Sequence, residues 1–250
     1  AGGGRGGGFG ARSRGGPGRR GLLYAGTRRG VWGSFNDGVQ WQSLQLNLPP
    51  VPVHDLTIKD GDLIAATHGR SFYVVDDLSP LRQMTAAMLG SEAHLYRPRD
   101  THRVEWGGRG GGGGGTTGAN PPSGVRIYYT LKQANQDVTL DFLDAAGKVI
   151  KTFSSKGDSS AAGGRGGRGN RTGTDSIAAP VADDEGPRRA PPVPRVSNKA
   201  GLNAFAWNMR DPDATTFYGM ILWAGDILGP VGPQGSVSVR LTLNHGLAHT

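Results

Sequence analysis

The chain has 250 residues, of which 44 are glycine and none is cysteine, and a formal net charge of +8. That length can bury one or two cores. The lack of cysteine excludes disulfides, thiolate metal sites and cysteine nucleophiles, and no apolar run approaches the ~20 residues that a membrane-spanning helix needs.

The charge is concentrated in two tracts. Residues 1–21 carry five Arg and no acid, and residues 161–171 carry Arg165, Arg168 and Arg171 and no acid, so the remainder balances at zero. Residues 1–21, 107–115 and 163–169 are nearly all Gly and Arg. Such tracts have too little apolar surface to offset chain entropy, which predicts disorder. A nucleic-acid-binding domain usually carries its charge on a folded face. Here only Phe9 interleaves with the arginines of the first tract. RNA binding through stacking and phosphate contacts is therefore the third reading, and nucleic acid is not expected as a partner.

From Leu22 the pattern changes. "LLYAGT", "GVWGSF", "WQSLQL", "VHDLTIKDGDLIAAT" and "SFYVVDD" are short, β-branched or aromatic, and separated by Gly and Asp, which predicts strands. "KDGD" at Lys59–Asp62 predicts a hairpin, because Asp-Gly tolerates the positive φ of a type I′ turn. The segment also repeats itself. Displaced by 40 residues, Leu23 falls on Leu63, Ala25 on Ala65, Thr27 on Thr67, Trp32 on Phe72, Asn36 on Asp76 and Asp37 on Asp77. A period of this size is that of one four-stranded propeller blade. Two units cannot close a ring, so the expectation is the C-terminal end of a larger propeller, with upstream blades of the same parent chain as partners; the alternative is two copies diverged from a simpler sandwich.

"SFNDGVQW", Ser34–Trp41, resembles the Asp-box, or BNR repeat, whose pattern is Ser-x-Asp-x-Gly-x-Thr-Trp. Ser34, Gly38 and Trp41 match; Asn36 replaces Asp and Gln40 replaces Thr, with Asp37 between. Asn accepts backbone N–H bonds in a tight turn much as Asp does. Gly38 would supply positive φ, and Trp41 would bury its ring between strands. The resemblance implies a hairpin turn on the rim of a propeller, so the element is expected to be structural. The longer stretch, residues 22–103 with "AHLYRPRD" at Ala93–Asp100, resembles the last blade of large bacterial BNR-repeat proteins labelled glycosyl hydrolase or sortilin-like. It implies a blade region over 22–80, a linker over 81–123, and a secreted or periplasmic location. The chain opens on Ala1 and shows no signal peptide.

Residues 124–250 predict a second all-β domain. Val138, Leu140 and Phe142 alternate with polar residues, "DAAGK" makes a hairpin turn, and Val237, Val239, Leu241 and Leu243 alternate in "SVSVRLTLN". That period buries one face of a sheet. In "GLNAFAWNMRD", Leu202, Phe205 and Trp207 are candidate core. "GLNAFAW" and "GPQGSVSVRLTL" resemble the immunoglobulin-like β-sandwich of flagellar hook-capping proteins, with Ser236 where the family usually has an aromatic. Residues 155–198, rich in Gly, Ser, Pro and Arg, are expected to be a disordered insertion, whose length costs little.

Few residues carry chemistry. His68 and Arg70 end a strand near Asp76 and Asp77. A glycosidase needs two carboxylates several ångströms apart, whereas adjacent Asp residues point to opposite faces or cap a turn. His54-Asp55 lacks a neighbouring nucleophile. Asp211 and Asp213 bracket a proline, and calcium there would need more oxygens. The six His show no metal-ligand spacing, and no phosphate loop, nucleophile elbow or dinucleotide fingerprint is present. No cofactor or metal is expected. The leading expectation is binding of a protein, peptide or glycan. The alternative is a fragment of a sialidase-like glycoside hydrolase whose active site lies on other blades.

Overall fold

A computed structural model describes residues 12–15, 18–103, 122–156, 194–215, 227–232, 235–244 and 247–249, the first and last of these segments as backbone. The described residues are antiparallel strands with two short helices, so the chain is all-β. They divide into two compact units. The first holds the described residues up to Leu89 and Tyr96–Arg99; the second holds Gly90–Leu95, residues 100–103 and those from 122 on.

In the first unit, β1 (Arg12–Gly15), β2 (Leu23–Thr27), β3 (Gly30–Ser34) and β4 (Gln42–Ser43) form one antiparallel sheet in chain order. β5 (Val53–Lys59), β6 (Asp62–Thr67) and β7 (Phe72–Val75) form another. The expected hairpin joins β5 to β6, with Asp60 and Gly61 both at positive φ, +50° and +86°. Two helices, α1 (Ser79–Gln83) and α2 (Ala86–Gly90), follow.

β1 lies inside the tract expected to be disordered. Its backbone pairs with β2 from Arg12↔Gly26 to Gly15↔Leu23. A sheet ladder is made of main-chain bonds and can recruit a segment whose side chains offer no apolar pattern. Residues 1–11, 107–115 and 163–169 lie outside the described residues.

The 40-residue repeat has a backbone counterpart. Gly21 and Gly61 have φ of +80° and +86°, and Asp37 and Asp77 have φ of +56° and +64°. In the β2–β3 hairpin the Thr27 hydroxyl donates to Gly30 O at 3.0 Å, and in the β6–β7 hairpin the Thr67 hydroxyl donates to Ser71 O at 2.6 Å. Where a counterpart of β4 would fall, the second copy has α1. Pro80 stands at its start, where a missing N–H is tolerated. Leu22, Tyr24, Val31, Leu56, Leu63 and Leu78 form the centre of this unit's core.

In the second unit, β8 (Ala93–Leu95), β9 (Val125–Leu131) and β12 (Gly201–Trp207) form a sheet in the order β12-β9-β8. The others, β10 (Val138–Leu143), β11 (Val149–Ser154), β13 (Ser238–Leu243) and β14 (Leu247–His249), form a sheet in the order β11-β10-β13-β14. Aromatic rings join the two faces. Phe142 lies 4.3 Å from Trp207 and Phe153 lies 4.8 Å from Phe205, centroid to centroid. Val138, Leu140 and Phe142 are fully buried, as their alternation predicts.

Three local expectations change. Leu202 is 49 % exposed. The period of two puts it on the opposite face from Phe205 and Trp207, and the inward place goes to Asn203. That amide is satisfied: Nδ2 donates to Lys199 O and Gly201 O, and Oδ1 accepts from the Ser197 hydroxyl. The insertion is shorter at its C-terminal edge than 155–198, because Val196 is in the core and the Tyr129 hydroxyl donates to Ser197 O. Residues 81–103, read as the start of a linker, contain most of α1 together with α2 and β8, which extends the sheet of β9.

Candidate functional site

The Ser34–Trp41 turn joins β3 to β4. Ser34 is fully buried. Its hydroxyl oxygen accepts the Gly38 N–H at 2.9 Å and the Asn36 N–H at 3.4 Å, and the hydroxyl donates to Asn36 Oδ1 at 3.1 Å. Asn36 Oδ1 also accepts the Gln40 N–H at 2.9 Å, and the Asp37 N–H donates to Gly21 O. Asp37 and Gly38 both adopt positive φ. Each of these bonds is spent within the chain. Trp41 differs from the expectation of burial: it is 38 % exposed. β4 is a two-residue edge strand, too short to bring a covering surface over it.

The candidates His68, Arg70, Asp76 and Asp77 do not converge. His68 and Arg70 are exposed in the β6–β7 hairpin, while Asp76 and Asp77 follow the far end of β7. An extended strand rises about 3.3 Å per residue, so the two pairs are separated by roughly the length of β7. Asp77 is buried, with Oδ1 accepting the Ser79 N–H at 3.0 Å, which makes it a turn residue ahead of α1. His68 gains a different neighbour. A bulge between Val53 and Asp55 turns His54 out of register, and its ring stacks on His68 with centroids 5.0 Å apart and planes at 19°. His54, His68 and Arg70 therefore form an exposed group at one end of the β5–β7 sheet. Its imidazoles and guanidinium suit carbonyl, hydroxyl or carboxylate acceptors. It contains no nucleophile–base pair.

A second polar cluster has no signal in the sequence, because its members come from separate elements. Arg19 Nη1 donates to Leu81 O at 2.8 Å and Met84 O at 2.5 Å, at the end of α1, and its guanidinium lies 5.2 Å from the Phe35 ring centroid. Arg99 pairs with Asp62 at 3.2 Å and donates to Asp60 O at 2.8 Å. The Tyr24 hydroxyl and Arg82 Nε are buried without a hydrogen-bond partner among the described residues. Burial pushes the Tyr24 phenol up to about 12, against the opposing pull of the Arg82 and Arg19 charges. A phenol held neutral has no place as a base near pH 7.

In the second unit, the Asp213 carboxylate and the Asp211 main chain have protein partners. Asp213 Oδ1 accepts the Gly229 N–H and lies 3.6 Å from Lys151 Nζ, and that ammonium also donates to Asp211 O. Among the described residues no three His, Asp or Glu side chains gather as metal ligands. Nor is any described helix long and apolar enough to cross a membrane.

No protein-family model, no curated protein and no solved structure matches this chain. What stands is an all-β chain of two units, the first built on a repeated three-stranded motif.

Proposed function

We propose that the chain is a binding and scaffold portion of an extracellular or periplasmic BNR-repeat protein, with a protein, peptide or glycan as ligand. In this reading the two sheets of the first unit are propeller blades and the second unit is an immunoglobulin-like sandwich. The observation that carries it is the matched pair of turns forty residues apart, Gly21 with Gly61 and Asp37 with Asp77, each pair at closely similar positive φ. Repetition of a small sheet builds a surface for recognition rather than one catalytic pocket. The group His54, His68 and Arg70 is the proposed contact surface, since all three side chains are exposed at one end of the β5–β7 sheet and the two imidazole rings stack there.

The test is a glycan and peptide array probed with the wild-type chain and with a His68→Ala/Arg70→Ala double variant. Binding by the wild type, weakened at least about tenfold in a variant of unchanged melting behaviour, supports the reading; that loss corresponds to about 1.4 kcal/mol. Equal binding by the two proteins would move the ligand surface elsewhere. Hydrolysis of aryl glycosides, sialosides included, is expected to stay at background. Turnover abolished by Asp76→Ala or Asp77→Ala in a folded protein would establish the hydrolase alternative instead.

A further inference from the structure

Two adjacent rows of the first sheet, Tyr24–Gly33 and Gly26–Val31, paired across β2 and β3, lie on one face. Their members Tyr24, Gly26 and Val31 pack with β5 and β6 in one core, whereas a Cβ on Gly33 would meet nothing within 4 Å. Tyr24 is 0 % and Val31 4 % exposed, and a Cβ on Gly26 would lie 2.8 Å from Val53 Cγ1. The second sheet presents its opposite face to them: Leu56, Ala65 and Tyr73 in one row, and Ile58, Leu63 and Val75 in the next, all in or against the same core.

The repeat assigns each row a counterpart. Forty residues on, one residue is added in the β6–β7 hairpin, which moves the counterpart of Phe72 from Trp32, where the plain displacement puts it, to Val31: Tyr24–Gly33 becomes Ile64–Val74 and Gly26–Val31 becomes Ala66–Phe72. In the first sheet Tyr24, Gly26 and Val31 are covered, in the core shared with β5 and β6. In the second sheet Ile64 and Ala66 are half-buried while Phe72 and Val74 are open, 71 % and 49 % exposed, against 4 % for Val31. Large apolar side chains side by side on one face mark a contact surface, unlike single exposed ones.

We infer that the face formed by Ile64, Ala66, Phe72 and Val74 is the packing surface for a further sheet of the same repeat, carried by polypeptide outside residues 1–250. Continuity with the existing interface identifies the occupant. The incoming sheet would present a face like that of Leu56, Ala65 and Leu63, which is how the second sheet covers the first. The described strands from β8 onward belong to the other unit, and among the described residues of the first unit there is no third copy of the motif. Each repeat leaves one apolar face to its neighbour, as stacked repeats do. The inference deepens the scaffold reading but is independent of any ligand, so it stands if the array binds nothing.

The chain has no cysteine, so introduced thiols report alone. Phe72→Cys, Val74→Cys and, as a reference, Val39→Cys, at a site 80 % exposed, are labelled with a maleimide in two settings: the isolated 250-residue chain and the native polypeptide in the cells that make it. The expected result is labelling of all three variants in the isolated chain. In the native polypeptide the thiols of the Phe72→Cys and Val74→Cys variants should be protected at least about tenfold relative to the reference. Equal labelling of the three in both settings overturns the inference. Protection in the isolated chain that fades on dilution also overturns it, by making a second copy the occupant.

Discussion

The Ser34 hydroxyl accepts the Gly38 N–H at 2.9 Å from a fully buried position, and this bond closes the turn between β3 and β4. Ser34→Ala leaves the Gly38 N–H and the Asn36 amide without that partner, and is expected to cost about 1–3 kcal/mol. Trp41→Ala removes a side chain that is 38 % exposed, and is expected to cost less, about 1–2 kcal/mol. Asn36→Asp keeps both acceptor contacts and strengthens them with charge, so it should be neutral or mildly stabilising. Denaturant midpoints of the three variants decide the matter. A Trp41→Ala loss larger than that of Ser34→Ala would mean that the ring, not the hydroxyl network, holds the turn.

Gly26 and Val53 set how closely β2 approaches β5. A Cβ on Gly26 would lie 2.8 Å from Val53 Cγ1 and 3.3 Å from Val53 O. Gly26→Ala therefore overpacks the contact and is expected to cost about 1–3 kcal/mol. Val53→Ala empties a buried site and costs stability alone, yet it removes the atom that the new methyl meets. The double variant is expected to lose less than the sum of the singles, by at least about 0.5 kcal/mol. Additive losses in urea unfolding would show that the clash is with the backbone oxygen instead.

Arg19 belongs to a tract whose composition marks it as solvated, yet it ties that tract to the end of α1. Its Nη1 bonds to Leu81 O and Met84 O join segments more than sixty residues apart. Hydrogen bonds from a charged donor contribute about 1.5–3 kcal/mol, and these are half-buried, so Arg19→Ala should cost about 1.5 kcal/mol. Arg19→Lys should restore less than half, since an ammonium lacks the planar fork. A variant that melts with the wild type would return residues 18–21 to the status of a linker.

The strands are legible because period-two alternation reports burial directly: Val138, Leu140 and Phe142 need no further information. The repeat is legible too, in the forty-residue spacing of Leu23, Ala25, Thr27 and Asp37 from their counterparts, while the matching φ of Gly21 and Gly61 is visible only in the fold. What escapes the sequence is non-local. β1 pairs through its main chain, which composition does not encode. Leu202 differs from its expected place by one residue of parity, enough to change its face. The stack of His54 on His68 depends on a bulge, and the cluster of Arg19, Tyr24 and Arg82 is assembled from three elements. A site whose members are brought together by tertiary packing leaves no spacing in the sequence to read.

Tyr24 gives the first unit an alkaline limit. Its phenol is fully inaccessible, its hydroxyl has no hydrogen-bond partner among the described residues, and burial raises its pKa from 10.0 to about 12 in the fold. The folded value lies above the unfolded one, so folding favours the neutral phenol. The resulting stability is fully present below about pH 10 and is lost as pH rises toward about 12, a change on the order of 2 kcal/mol. Tyr24→Phe removes the titration together with a buried hydroxyl that gains nothing from its surroundings. At neutral pH the variant should be as stable as the wild type or slightly more so. Between about pH 9 and pH 12 the wild type should lose ground to it progressively. The measurement is the difference in unfolding free energy between the two proteins across that range, which cancels the titration of every lysine and the remaining tyrosines. A difference that stays flat with pH would place the Tyr24 phenol in contact with water or with a partner that stabilises its anion.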